Sequence, residues 1–261
     1  MKRGKIVKNK QGILVLTIIS AIIILIFFCI FFTAHFRSSQ TDADDAIELM
    51  TQALNGKTIV IDAGHGLNNI ADYEKIAPDS DKTKPAYVSG TAGKNQTEEQ
   101  LNLAISLLVE SGLKEKGAAV YMTRYTHDAD KSNIQRAEFA NELNADAVVK
   151  IHADGSEDST VNGISVLVPA DGCLSDELCS KSESLGICIL TAVVSQTGAE
   201  SRGLSYRSDM TGFNWSKVPV VLIETGFMTN PKEDALLETE GYRQKIADGI
   251  VEGIIQYFAD I

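Results

Sequence analysis

From Thr58 to Ala63 the chain reads TIVIDA, a β-branched apolar run of the kind that forms a buried strand. Similar runs recur at Ala118–Thr123, Ala147–Ile151 (AVVKI), Gly163–Val168 (GISVLV) and Pro219–Ile223 (PVVLI). Pro169 ends the fourth run, which reads as an edge strand for that reason. Between the runs, apolar residues return at helical spacing. Thr97–Lys116 carries Leu101, Ile105, Leu108 and Leu113, and Thr97 with Gln100 three residues on makes a capping box that sets the helix start. Asn133–Asn144 has Ile134, Ala137, Ala140 and Leu143 on one face, Glu177–Thr197 has Leu178, Leu185, Ile189 and Val193, and Gly241–Phe258 is the closing helix. Strands alternating with helices predict one α/β domain, with a mainly parallel twisted sheet flanked by helices on both faces.

Two stretches break this rhythm. Ile13–Ala34 is 22 residues without a charge, interrupted only by Thr17, Ser20 and Thr33. As a helix it would span roughly 33 Å, enough to cross the hydrocarbon of a bilayer. A cleaved signal peptide usually has a shorter apolar region, and the FTAH that follows has no small-x-small site. The run therefore reads as a transmembrane anchor at 13–34. Five basic residues precede it and Arg37 alone follows closely, which places segment 1–12 in the cytoplasm. Residues 35–56 then form a polar stalk, and 57–261 an extracytoplasmic catalytic domain held at the membrane. The second stretch, Gly64–Gln96, is rich in Gly, Pro, Asn, Asp and Lys and has no periodicity. A long patternless segment in a compact domain is more often functional than a plain connector. It reads as a gate over a cleft or a dock for a regulatory protein partner.

Charge narrows the function. Residues 1–37 hold six basic residues and no acidic one, which leaves 18 basic against 35 acidic, a net of −17, for 38–261. A body this acidic excludes nucleic acid as a partner. Outside the apolar run lie Cys173, Cys179 and Cys188, read either as a Cys173–Cys179 bridge with one thiol left over or as three free thiols.

The candidate chemistry sits at strand ends. TIVIDA runs into Gly64-His65-Gly66, AVVKI into His152, and PVVLI into Glu224. In an open parallel sheet the carboxyl ends of the strands share the edge where ligands bind. Two imidazoles and a carboxylate gathered there point to a metal of the zinc type, since oxygen-preferring ions would not select histidines. Spacing leaves the third ligand open among Glu98, Glu99, Asp62 and Asp154.

Four blocks, VIDAGHG, TEEQLNLAISLLVESGLKEKGAAVYMTR, RAEFANELNADAVVKIHAD and VPVVLIETGFMTNPKEDALL, resemble in order the zinc-dependent N-acetylmuramoyl-L-alanine amidases of the type 3 family, over about residues 57–258. The resemblance implies a Zn2+ site of His65, Glu98 and His152 and a catalytic acid/base at Glu224. It implies hydrolysis of the amide between the lactyl group of N-acetylmuramic acid and L-alanine in peptidoglycan, in wall or spore-cortex remodelling. Arg124 and Arg136 also stand where the family has arginines and read as structural. Arg202 and Arg207 in the RGLSYRSD stretch read as contacts for stem-peptide carboxylates. Two other readings stay open: a metal-bound scaffold that activates another wall hydrolase, and a zinc carboxypeptidase.

Overall fold

The computed structural model describes Phe28, Phe31 and residues 52–67, 70–128 and 130–260. Segment 1–12, nearly all of the 13–34 anchor and the stalk up to Thr51 lie outside the described residues. The apolar runs become strands β1 (Thr58–Ala63), a short hairpin of β2 (Tyr73–Lys75) and β3 (Thr83–Pro85), then helix α1 (Glu98–Glu115) and β4 (Ala119–Met122). There follow α2 (Asn133–Glu142), β5 (Ala147–Asp154), β6 (Ile164–Pro169), α3 (Asp176–Thr197), β7 (Ser201–Arg207), α4 (Thr211–Asn214), β8 (Val220–Phe227), α5 (Pro231–Leu237) and α6 (Glu240–Ala259). Six strands form one sheet in the order β4-β1-β5-β8-β6-β7. The first four of these are mutually parallel, β6 is antiparallel to β8, and β7 is parallel to β6.

Strand alternation sorts the side chains into two cores. Ile59, Ile61, Val149, Ile151, Val221 and Ile223 point to one face and pack with α1, α3 and α6, whereas Val60, Val148, Leu222 and Phe213 pack on the other with α2 and α4. α3 is long and apolar enough to span a bilayer by composition, but Leu185, Ile189 and Val193 are fully buried in the first core. α3 and α6 approach so closely that a Cβ on Gly253 would lie 2.5 Å from the Ile189 Cα, and one on Gly249 would lie 2.6 Å from the Val193 Cα.

The element boundaries expected from sequence are close, with four corrections. β6 is not an edge strand. It pairs with β8 through Leu167 and with β7 through Pro169, so the proline falls just past the β8 ladder. The edge belongs to β7, which periodicity missed because only part of it is buried. Within Gly64–Gln96, β2 pairs antiparallel with β3, and both strands are mostly exposed, so no apolar alternation marked them. β5 and β8 continue to Asp154 and Phe227, so His152 and Glu224 lie inside their strands rather than beyond them. The short helices α4 and α5 were also unforeseen, although Asn230 followed by Pro231 is a helix-start signal and the Asn230 side chain caps α5. Cys173, Cys179 and Cys188 are all free thiols.

Candidate active site

β1 ends in a sharp reversal. His65 takes φ 58°, a left-handed conformation costly for a residue with a Cβ, and Gly66 follows at φ 144°. Two arginines hold this turn. The Arg124 guanidinium donates to the carbonyls of Ala63 (2.9 Å), Gly64 (2.8 Å), Glu99 (2.8 Å) and Thr126 (2.8 Å). Arg136 donates to the carbonyls of Ala63 (2.9 Å), His65 (2.7 Å) and Lys131 (3.2 Å) and pairs with Asp62 at 2.7 Å. Both residues thus serve the backbone around His65, in line with the structural reading.

His65 Nδ1 lies 2.7 Å from the Val88 carbonyl, so the proton sits on Nδ1 and the Nε2 lone pair faces inward. His65 Nε2 is 3.2 Å from His152 Nδ1, and Glu98 Oε1 is 3.0 Å from each of these nitrogens. Three potential ligand atoms from β1's end, β5 and α1 therefore form a small triangle. Ligands held tetrahedrally at about 2.0–2.1 Å from zinc stand roughly 3.3 Å apart, so the triangle fits that ion with little adjustment. The donor set of two imidazoles and one carboxylate fits it as well.

Glu98 is almost fully buried. Its Oε2 accepts from Thr91 N at 2.9 Å, and its Oε1 accepts from Ala153 N at 3.2 Å and Asn102 Nδ2 at 3.2 Å. Burial alone would raise its pKa, but the hydrogen bonds with His152 and His65 hold it well below the usual carboxylate range. Burial lowers the pKa of His152, with Glu98 opposing. At His65 burial acts the same way but is outweighed by Glu98, and the net shift is upward. Two of the other carboxylates left open by spacing have partners of their own. Asp62 is buried under Lys150, Arg136 and Thr123, and Asp154 Oδ1 accepts from Gly155 N at 2.7 Å.

Glu224 lies in register with His152 on the neighbouring strand and lines, with His65, His152 and Glu98, an open cleft of about 520 Å³. Its Oε2 is buried and has no hydrogen-bond partner. Burial first, and then the nearby Asp154 and Glu98 carboxylates, push its pKa well above the ordinary value, with Arg207 opposing. Arg202 and Arg207 do not line this cleft. Arg202 lies over the Phe227 ring at 5.2 Å and donates to the Asn162 carbonyl, while Arg207 makes a two-pronged pair with Asp209 at 2.8 Å.

Sequence reasoning missed several residues here. Asn102, one helical turn from Glu98, had spacing as a clue, and Lys150 stood out as a charge inside a buried strand. Val88 and Thr91 act through backbone atoms, so their identity carried no signal.

This geometry has close relatives. The family model described as N-acetylmuramoyl-L-alanine amidase matches residues 59–256. The chain belongs to this amidase family. The family reaction is hydrolysis of the amide that joins stem peptide to glycan in peptidoglycan. At the level of curated proteins, the amidase is 28% identical over 211 residues to the probable cell wall amidase LytH of Staphylococcus epidermidis, covering 81% of this chain but only 62% of that protein. Among solved structures, Ami1 of Mycobacterium smegmatis, an N-acetylmuramyl-L-alanine amidase, superposes with a TM-score of 0.74 at 30% identity, over 80% of this chain and 99% of that one. The CwlD amidase of Clostridioides difficile, solved in complex with the GerS lipoprotein, gives a TM-score of 0.60 at 28% identity over 79% of this chain and all of that chain.

Proposed function

We propose that this chain is a membrane-anchored zinc amidase that cleaves N-acetylmuramoyl-L-alanine bonds, with His65, Glu98 and His152 as metal ligands and Glu224 as acid/base. One observation carries the reading: three ligand atoms from three elements converge within 3.0–3.2 Å of one another, beside a second carboxylate, Glu224, that is not part of the triangle. Zinc bound there supplies Lewis-acid polarisation of the scissile carbonyl and a lowered pKa for water. The protein does the rest. Glu224 takes the proton from the attacking water and delivers it to the leaving alanine nitrogen, a task suited to a carboxylate whose proton affinity is raised and whose Oε2 has no other partner. Val88 fixes the His65 tautomer, and Arg124 and Arg136 hold the strained turn that aims it. Arg202 and Arg207, on edge strand β7, are read as outer contacts for the stem peptide.

The apolar run 13–34 anchors the domain on the extracytoplasmic side, where peptidoglycan lies. Because CwlD was solved with the GerS lipoprotein, we extend to this chain a regulatory protein partner in wall or spore-cortex remodelling. The test is metal analysis of the purified chain together with mass spectrometry of digested peptidoglycan. We expect about one zinc per chain and free glycan with intact stem peptides. Glu224→Gln should keep the metal and lose about 10²–10⁴-fold in turnover. Retained turnover would remove Glu224 from the mechanism, and release of a terminal amino acid would identify a carboxypeptidase instead.

A further inference from the structure

His65 and His152 also form one wall of a second cavity, of about 220 Å³, which neither Glu98 nor Glu224 lines. Its other walls carry Lys84 from β3, Lys131 from the loop before α2, Arg136 from α2 and Lys150 from β5, against one carboxylate, Asp62. Four cations to one anion is the reverse of the balance in the rest of this acidic domain.

The charges do not cancel locally. Lys150 and Arg136 both pair with the buried Asp62, which leaves one positive charge uncompensated in a buried place. Lys84 pairs with no carboxylate among the described residues, and its Nζ donates to the Asp209 carbonyl at 3.3 Å. Burial lowers the Lys84 pKa, with the Asp209 and Glu74 carboxylates opposing and Arg207 and Lys150 adding to the decrease. Lys131 pairs with Asp130, which is largely in solvent. A polar group points to a ligand independently of charge. Thr211 is 1% exposed, lines the cavity, and its Oγ1 has no hydrogen-bond partner. Next to it Gly212 leaves the Lys150 ammonium uncovered, since a Cβ there would stand 3.2 Å from Nζ.

We infer that this cavity is an anion subsite that receives a stem-peptide carboxylate, with Lys84 and Thr211 as its contact groups and the Lys150–Asp62–Arg136 set as the fixed charge behind them. The assignment rests on the amidase reading, which puts the scissile bond at the histidines. Around that bond the glycan side is neutral hydroxyls and amides, whereas the stem side carries a free carboxylate one residue past L-alanine. L-alanine spans about 3.5 Å when extended and the carboxylate carbon lies two bonds further, about 6 Å in all, so a cavity that shares the histidine wall is within reach of that group.

The test compares two N-acetylmuramoyl tripeptides that differ only in whether the second residue bears a free carboxylate or the matching carboxamide. The full zinc-loaded chain in detergent is assayed for kcat and KM, and its Glu224→Gln variant is titrated with both peptides by calorimetry. We expect the carboxylate peptide to be favoured about tenfold, in KM and in Kd, as for one charge-assisted hydrogen bond. Lys84→Gln should abolish the preference by weakening the carboxylate peptide about tenfold relative to the carboxamide one. Thr211→Val, nearly isosteric and at a site with no partner to lose, should keep the fold and weaken only the carboxylate peptide. Equal binding of both peptides, or an equal loss on both in Lys84→Gln, overturns the subsite. Selective binding without cleavage by the unmutated chain overturns the amidase reading while leaving the subsite standing.

Discussion

Gly64 matters through the side chain it lacks. A Cβ there would stand 2.4 Å from His152 Cε1 and Nε2, so the imidazole lies flat on the Gly64 backbone. Gly90 does the same for Glu98, whose Oε2 would be 2.3 Å from an added Cβ. Neither position requires a positive φ, so the constraint is close approach rather than backbone conformation. Gly64→Ala should displace the His152 ring and weaken zinc binding about 10–100-fold, the range seen when the support of a ligand is disturbed. Competition with a chelator measures it, and circular dichroism of the zinc-free protein should show the same folded spectrum. An unchanged zinc affinity would mean that His152 is not held by that packing.

Among the elements, the α3–α6 pair and the β2–β3 hairpin show two kinds of constraint. The first is stability. Gly249 and Gly253 let α6 pack directly on the α3 backbone, and Leu185, Ile189 and Ile250 fill the space around that crossing. Gly253→Ala cannot be absorbed by a flexible side chain, because its Cβ would meet the Cα of Ile189. It should destabilise the domain by about 1–3 kcal/mol, read as a lower urea midpoint at constant slope, with zinc content and turnover kept because neither glycine lines the cleft. The hairpin buries little. The segment that follows β3 instead brings the Val88 carbonyl to His65 and the Thr91 amide to Glu98, so part of the patternless stretch read as a gate or a dock is built into the site itself.

At the scale of the whole molecule, the charge of the domain and the proposed membrane anchor bear on the same question. Residues 38–261 carry a net charge of −17, so the domain does not adhere to anionic polymers by general attraction, although four of its cations line the cavity beside the histidines. The anchor proposed for the N-terminal apolar run would supply retention at the wall. The full chain should sediment with membranes and be released by detergent but not by high salt. Residues 38–261 alone should remain in the soluble fraction and cleave soluble muropeptides with unchanged kcat/KM. Recovery of the full-length protein as a soluble chain shortened near residue 37 would replace the anchor with a cleaved signal.

The sequence by itself determined the parts that depend on short-range pattern. The unbroken β-branched run in Thr58–Ala63 marks a strand buried on both faces, and Thr97 with Gln100 marks a helix start, where Gln100 does accept from Thr97 N at 3.1 Å. The histidines at the strand ends were legible for the same reason, since a parallel sheet must bring those ends to one edge. Spacing left the third carboxylate open and the family resemblance pointed to Glu98, while the tertiary structure brings that side chain against both imidazoles. Asp62 and Glu98 are alike in sequence as carboxylates near those strand ends, and distant segments bring different groups to each. Lys150 and Arg136 occupy Asp62, whereas Glu98 is left facing two imidazoles. The edge strand β7, the exposed hairpin and the cation-lined cavity were hidden for a related reason. Periodicity records that a side chain is buried, but not which partner buries it, and it is silent where hydrogen bonding or charge, rather than apolar burial, holds a segment in place.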